Sequence, residues 1–150
     1  MTSLDTSGAC VSVAVPSDPK YLRIVRRVLE SYMEQVPIEP DEAGRLVLAI
    51  DEACSNVIKY AYESDASKTI EVTISSEDDV LRFSVRDYGR KPDLSTIAPR
   101  PLEEVRPGGL GTHFIRSVMD TVSYNLDNEQ GTQLIMTRNL RESAPNTEAN

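Results

Sequence analysis

Residues 51–62 read DEACSNVIKYAY. They continue an apolar stripe of helical period, Leu46, Ile50, Ala53 and Val57, which predicts a helix from about Asp41 to Tyr62 with one face against a sheet. Glu52, Asn56 and Lys59 follow one another at spacings of four and three. At about 100° per residue they fall within roughly 60° of one another, on a flank of the apolar stripe rather than opposite it. One reading is a solvated face with helix-stabilising spacings. The other is the wall of a cleft, and its chemistry is coherent. A carboxylate can orient or deprotonate a hydroxyl, an amide oxygen can ligate Mg²⁺, and an ammonium can meet phosphate. Glu-x-x-x-Asn recurs by chance, so the helix alone does not decide between them.

Upstream, CVSVAVP (10–16) alternates valine with small residues and predicts a half-buried strand ended by Pro16. Ser17 or Asp18 can cap the helix that follows, expected over about 19–35 from Leu22, Val25, Leu29 and Met33. Asp41 is a candidate cap for the second helix. Downstream, TIEVTISS (69–76) and VLRFSVRD (80–87) each place alternate apolar residues on one face, joined by a turn at EDD. Residues 90–108 carry prolines, mixed charges and few aliphatics, and a structureless run of that length reads as a lid over a site. GGLG (108–111) opens a third helix to about Asp120. TVSYNLD and GTQLIMTRNL are a closing strand pair joined at NEQG. Residues 1–8 read as a flexible arm and 141–150 as a disordered tail, leaving one domain over 9–140. Helices grouped rather than alternating with strands favour an α+β, two-layer α/β sandwich over a doubly wound sheet.

Bulk properties narrow the partners. A chain of 150 residues, 39% of them hydrophobic, can bury a single core without a metal or disulfide. The net charge of −8 argues against binding a bare nucleic-acid backbone. It does not exclude phosphate, which backbone N–H groups can hold. Cys10 and Cys54 lack metal-ligand spacing and fit reduced thiols in a cytoplasmic protein. The first ten residues show no basic start or apolar run, and no stretch is long and apolar enough to span a bilayer.

Three further motifs carry chemistry. Asp87-Tyr88-Gly89 closes a strand: the carboxylate could accept from an exocyclic amine, with Gly89 permitting close backbone approach to a ligand, or the three could be a simple turn. Gly108-Gly109-Leu110-Gly111-Thr112 opens a helix whose free N–H groups could face an anion, or serves as a hinge. Gly131-Thr132 starts the last strand. Five of the seven glycines fall in these motifs.

Taken in order, Glu52-x-x-x-Asn56, Asp87-x-Gly89, Gly109-x-Gly111 and Gly131-Thr132 resemble the N box and three glycine boxes of the GHKL ATPase superfamily, to which gyrase, histidine kinases and MutL belong. Within it, length and the phrases DEACSNVIKYAY and GGLGTHFIRSVMD are most similar to anti-sigma serine kinases of bacterial partner-switching systems, the RsbW and SpoIIAB type. The resemblance runs from about Val11 to Leu140. It implies a mixed, mostly antiparallel sheet covered by three helices, with an ATP lid. It implies ATP and Mg²⁺, with Glu52 as general base or hydroxyl-orienting residue and Asn56 as metal ligand bridging to the phosphates. Lys59 would lie near the phosphates, and Asp87 would bind the adenine amine with Gly89 keeping that wall open. Gly109, Gly111 and Thr112 would contact phosphate, and Thr132 would complete the adenine wall. The implied substrate is a Ser or Thr of a STAS-domain anti-anti-sigma protein, and the competing partner a sigma factor.

In one departure, Gly89 is followed by Arg90, Lys91 and Pro92, where many members carry a second glycine. The alternative to a kinase is an ATP-binding switch that regulates a phosphatase or other effector without efficient transfer. A histidine-kinase fragment would need a phosphoacceptor histidine on a dimerising helix, whereas the only histidine, His113, follows the glycine turn. A topoisomerase-type ATPase would need a transducer domain. Arg23, Arg26 and Arg27 on the first helix could contact a partner or a second copy in a homodimer, or be solvated charges.

Overall fold

Valines alternating with small residues form the first strand, β1 (Cys10–Pro16), in the computed structural model, which describes residues 9–89, 109–127 and 130–143. Asp18 caps a 3₁₀ turn, Pro19–Tyr21, its Oδ1 accepting from the Lys20 N–H at 3.0 Å. The helix expected over 19–35 thus divides into that turn and α1 (Leu22–Met33). Ser17 is spent elsewhere: its buried hydroxyl donates to the Asp65 carbonyl at 2.6 Å and pins the loop after the second helix. That second helix, α2 (Pro40–Asn56), starts one residue before the anticipated Asp41 cap. Pro40 takes the first turn, where its missing N–H costs nothing, and Asp41 and Glu42 place negative charge at the positive end of the helix. A π-turn, Val57–Ala61, continues it.

The strands β2 (Thr69–Glu77) and β3 (Val80–Asp87) meet at a two-residue hairpin, with Asp78 and Asp79 at φ 51° and 65°. Two positive φ values in succession are the turn whose twist suits a hairpin. After α3 (Gly109–Val118) come β4 (Thr121–Asn125) and β5 (Thr132–Asn139). Sheet order is β1-β2-β3-β5-β4.

The expected α+β two-layer sandwich is what forms, and all four ladders among the described residues are antiparallel, with no parallel pair of the kind a mixed sheet would add. The reason lies in the chain path: after α3 the chain enters at the sheet edge as β4, then turns back as β5 into the place beside β3. The tail expected from residue 141 begins instead as one helical turn, Leu140–Ser143, held by Arg141 to Asp79 at 2.8 Å. The lid expected over residues 90–108 falls outside the described residues.

One sheet face carries the core. Ile70, Val72 and Ile74 of β2 and Leu81, Phe83 and Val85 of β3 are at most 1% exposed, and α1 and α2 lay Leu29, Leu46 and Ile50 upon them. Each such side chain contributes about 1.5–3 kcal/mol of burial. The other face is polar, with hydroxyl pairs such as Ser12–Thr73 at 2.8 Å. That division is the usual state of an antiparallel sheet covered on one side. Cys54 sits in the core, and burial, aided by the Asp51 charge, pushes its thiol up to about 12. No described helix is long and apolar enough to cross a membrane.

A charged network closes the far end. Arg138 of β5 donates to Glu42 at 2.7 Å and to Asp120 at 2.9 Å, while Arg45 reaches Glu42 at 2.6 Å. Burial alone would raise the Glu42 carboxyl, but Arg45 and Arg138 outweigh it and hold it below its ordinary 4.5. A depressed carboxyl stabilises the fold above its unfolded pKa, and loses that contribution as pH falls through the folded value. Arg138→Met, which leaves a buried charge less compensated, is expected to cost about 3 kcal/mol at neutral pH by urea titration. The gap should narrow only as pH falls through the depressed Glu42 value, which lies below 4.5, where the carboxyl becomes neutral in wild type as well.

Candidate functional site

Glu52 and Asn56 are half-buried on the last turns of α2, and Lys59 is exposed in the π-turn. Among the described residues, none hydrogen-bonds or ion-pairs with these three side chains. The neighbouring acid differs. Asp51 accepts from Arg26 of α1 at 2.6 Å, which spends it on holding the two helices together. Of two adjacent carboxylates, one is structural and Glu52 is left available. The stripe assigned to Leu46, Ile50, Ala53 and Val57 is buried through Ala53, but Val57 is only half-buried. Beyond Ala53 the inward positions are Cys54, Ile58 and Tyr62.

That continuation depends on the π-turn. Residues four apart in an α-helix drift by about 40° around the axis, so the series 46, 50, 54, 58, 62 would leave the core. The wider turn, in which the Tyr62 N–H donates to the Val57 carbonyl at 2.9 Å, rotates less per residue and offsets the drift. Tyr62 stays 5% exposed.

Asp87, the last residue of β3, is 4% exposed, and its Oδ1 accepts the Gly89 N–H at 2.9 Å. Burial raises its carboxyl above the ordinary 3.8; the Gly89 N–H, Arg86 and the Thr132 N–H pull the other way without cancelling it. Thr132 stands directly across in the β3–β5 ladder. It too is 4% exposed, and its Oγ1 is buried with no hydrogen-bond partner among the described residues. A buried hydroxyl without a partner costs free energy unless something outside the chain satisfies it. Beside a buried carboxylate, it fits the donor-and-acceptor edge of a purine base.

The two glycines of this wall answer to the chain itself. A Cβ on Gly89 would lie 2.4 Å from the Ala61 carbonyl oxygen, so the residue is required by contact with the π-turn. That requirement stands beside its anticipated part as a residue kept small for ligand approach. Gly131 has φ +75°, and a Cβ there would come within 2.1 Å of the Asp87 carbonyl oxygen. Together these contacts bring the end of α2, the end of β3 and the start of β5 to one corner.

Gly109, Gly111 and Thr112 lie in the first turn of α3, among the residues whose N–H groups have no partner within a helix. Thr112's side chain lies outside the described residues, as does Gly108. His113 is exposed on the same helix. Since α3 packs against α2, its start and the Glu52–Asn56 helix share one layer.

Two residues escaped the sequence reading. The Tyr62 hydroxyl donates to the Thr69 carbonyl at 2.5 Å and accepts the Tyr88 N–H at 2.8 Å. Helical spacing gave no signal for it, because the series 46, 50, 54, 58, 62 stays inward only through the π-turn. Arg86 donates from Nη1 to the Asp87 carbonyl at 2.6 Å and from Nη2 to the Gln130 carbonyl at 3.0 Å, with its guanidinium 4.2 Å from the Tyr88 ring centre. As an outward residue of an alternating strand it gave no signal.

A family model described as "Histidine kinase-like ATPase domain" matches residues 15–138. Serine-protein kinase RsbW of Bacillus subtilis is 28% identical over 138 residues, which span 87% of this chain and 85% of that protein. In fold, the chain is similar to a solved SiaB–SiaC complex from Pseudomonas aeruginosa, with a TM-score of 0.68, 16% identity, and 85% and 88% of the two chains covered. It is also similar to the RsbU and RsbW domains of a Mycobacterium tuberculosis protein, with a TM-score of 0.64 and 19% identity, over 88% of this chain and 32% of that one.

Proposed function

The chain belongs to the histidine kinase-like ATPase family, and from that premise we propose that it is an ATP-dependent serine/threonine protein kinase that is also an anti-sigma factor. Its substrate would be a STAS-domain anti-anti-sigma protein, and its second partner a sigma factor held in a partner-switching system. The likeness to Bacillus serine-protein kinases over most of both chains supports this reading. The observation that carries it is the unspent polar set: Asp87 and Thr132 buried together, with Glu52 and Asn56 unengaged on the adjoining helix.

Asp87 accepts the adenine amine, and the Thr132 hydroxyl completes that edge. The first-turn N–H groups of α3, at Gly109, Gly111 and Thr112, hold phosphate oxygens, and Lys59 adds positive charge beside them. Asn56 offers an amide oxygen and Glu52 a carboxylate one turn away, a donor set that suits a hard cation. Bound Mg²⁺ would neutralise charge on the phosphates, with Asn56 as its protein ligand. Glu52 orients the substrate hydroxyl and takes its proton as the γ-phosphoryl group passes to that oxygen and ADP leaves. In this reading residues 9–140 form one cytoplasmic domain with residues 90–108 as its lid, acting as a homodimer.

A second reading is an ATP-binding switch without efficient transfer. Glu52 favours the kinase, because a pure binder has no need of a free carboxylate beside the metal ligand. Incubation with radiolabelled ATP and a cognate STAS protein separates them: label is expected on a serine or threonine of that protein. ATP bound with no label transferred would select the switch.

A further inference from the structure

We propose that Tyr62 is a positioning residue for base selectivity, fixing through its hydroxyl the segment Asp87–Gly89 that would read adenine. The inference rests on the reading of the site as an ATP site and adds a residue to it. Two observations converge on the hydroxyl, and a third on the same junction. It is the acceptor for the Tyr88 N–H at 2.8 Å, the amide directly after Asp87. It donates in turn to the Thr69 carbonyl at 2.5 Å, so the oxygen is held from the β2 side and cannot swing. The same helix end meets the segment a second time, at Gly89, which lies too close to the Ala61 carbonyl to carry a Cβ.

The consequence for Asp87 follows from its own bond. Its carboxylate accepts the Gly89 N–H at 2.9 Å, two residues along, so its orientation is tied to the conformation of the turn. The turn is tied at Tyr88 to Tyr62. On the opposite side Arg86 grips the Asp87 carbonyl at 2.6 Å. Among the described residues, Tyr62 supplies the only hydrogen bond from the helix layer to this segment. A phenylalanine would fill the same space and remove only the hydroxyl. The Tyr88 N–H would then lose its partner and the carboxylate its fixed direction.

The test uses the full chain and two nucleotides with the same triphosphate, ATP and purine riboside triphosphate, which lacks the 6-amino group. Wild type is expected to prefer ATP. In Tyr62→Phe, ATP affinity by calorimetry should fall about five- to tenfold, while purine triphosphate affinity changes less than about twofold. On an Asp87→Asn background the same substitution should add almost nothing, because the two act in series. An equal loss for both nucleotides would mark Tyr62 as merely structural and overturn the proposal, as would unchanged preference. Should Tyr62→Phe fail to fold, Gly89→Ala disturbs the same junction from the other side and must give the same selective loss; retained preference there also overturns it. A wild-type chain that binds neither nucleotide overturns the ATP reading itself, a result distinct from loss of the Tyr62 effect alone.

Discussion

Glu52→Ala is expected to slow phosphoryl transfer by about 10²–10⁴-fold while leaving ATP affinity within about threefold of wild type. The asymmetry follows from what a base does. It interacts with a proton that moves only in the transition state, so removing it leaves the bound ground state nearly intact. The structure sharpens the expectation in two ways. Glu52 is half-buried and free of hydrogen bonds to other described residues, so truncation breaks no visible support of the fold. The neighbouring carboxylate cannot stand in, because Asp51 is engaged by Arg26 at 2.6 Å. Single-turnover transfer to the STAS substrate, alongside calorimetric ATP binding, measures the two quantities. Transfer at the wild-type rate would remove Glu52 from the reaction; equal loss of binding and transfer would make it a binding residue only.

Asp87→Asn is expected to weaken ATP binding by about 30-fold, the loss of one hydrogen bond to a charged acceptor in a buried place. Its effect on stability should have the opposite sign. Burial raises the Asp87 carboxyl, so ionising it inside the fold costs free energy at every pH above the raised value. A neutral isostere relieves that cost, and the thermal midpoint of the variant should equal or exceed that of wild type at neutral pH. Protonation of the same carboxyl places an acid limb in wild-type ATP affinity above pH 3.8, and that limb should be missing from the variant. A residue that lowers stability where it sits and raises affinity for a ligand is what a binding site retains. A variant that loses stability and keeps its affinity would assign Asp87 to the fold rather than to the site.

How much was legible beforehand differs with the range of the interaction. Strand β3 could be bounded from VLRFSVRD and its hairpin from EDD, because alternation and turn chemistry are local. The positions of Glu52 and Asn56 one turn apart on α2 were legible for the same reason, whereas the π-turn that carries Lys59 gave no local signal. Long-range contacts were not. The contact of Gly89 with the Ala61 carbonyl, a neighbour 28 residues away in sequence, could not be read from the Asp87-x-Gly89 motif. The all-antiparallel sheet depends on β5 inserting between β3 and β4, which no single strand encodes. Asp41 looked like a cap because it precedes the periodic residues, yet Pro40 already satisfies the first turn.

The π-turn at Val57–Ala61 also bears on where the chain tolerates a change of length. Deleting any one of these five residues would let α2 run on as an unbroken α-helix, with better local hydrogen bonding. It would also swing the side chain of Tyr62 by about 100° and draw the chain back by about 1.5 Å. Helical content would be preserved, so circular dichroism would report a sound protein. The corner that joins helix to strand would be lost. Along this stretch the count of residues matters more than their identity, and a survey of deletions would find here a gap that a survey of substitutions would miss.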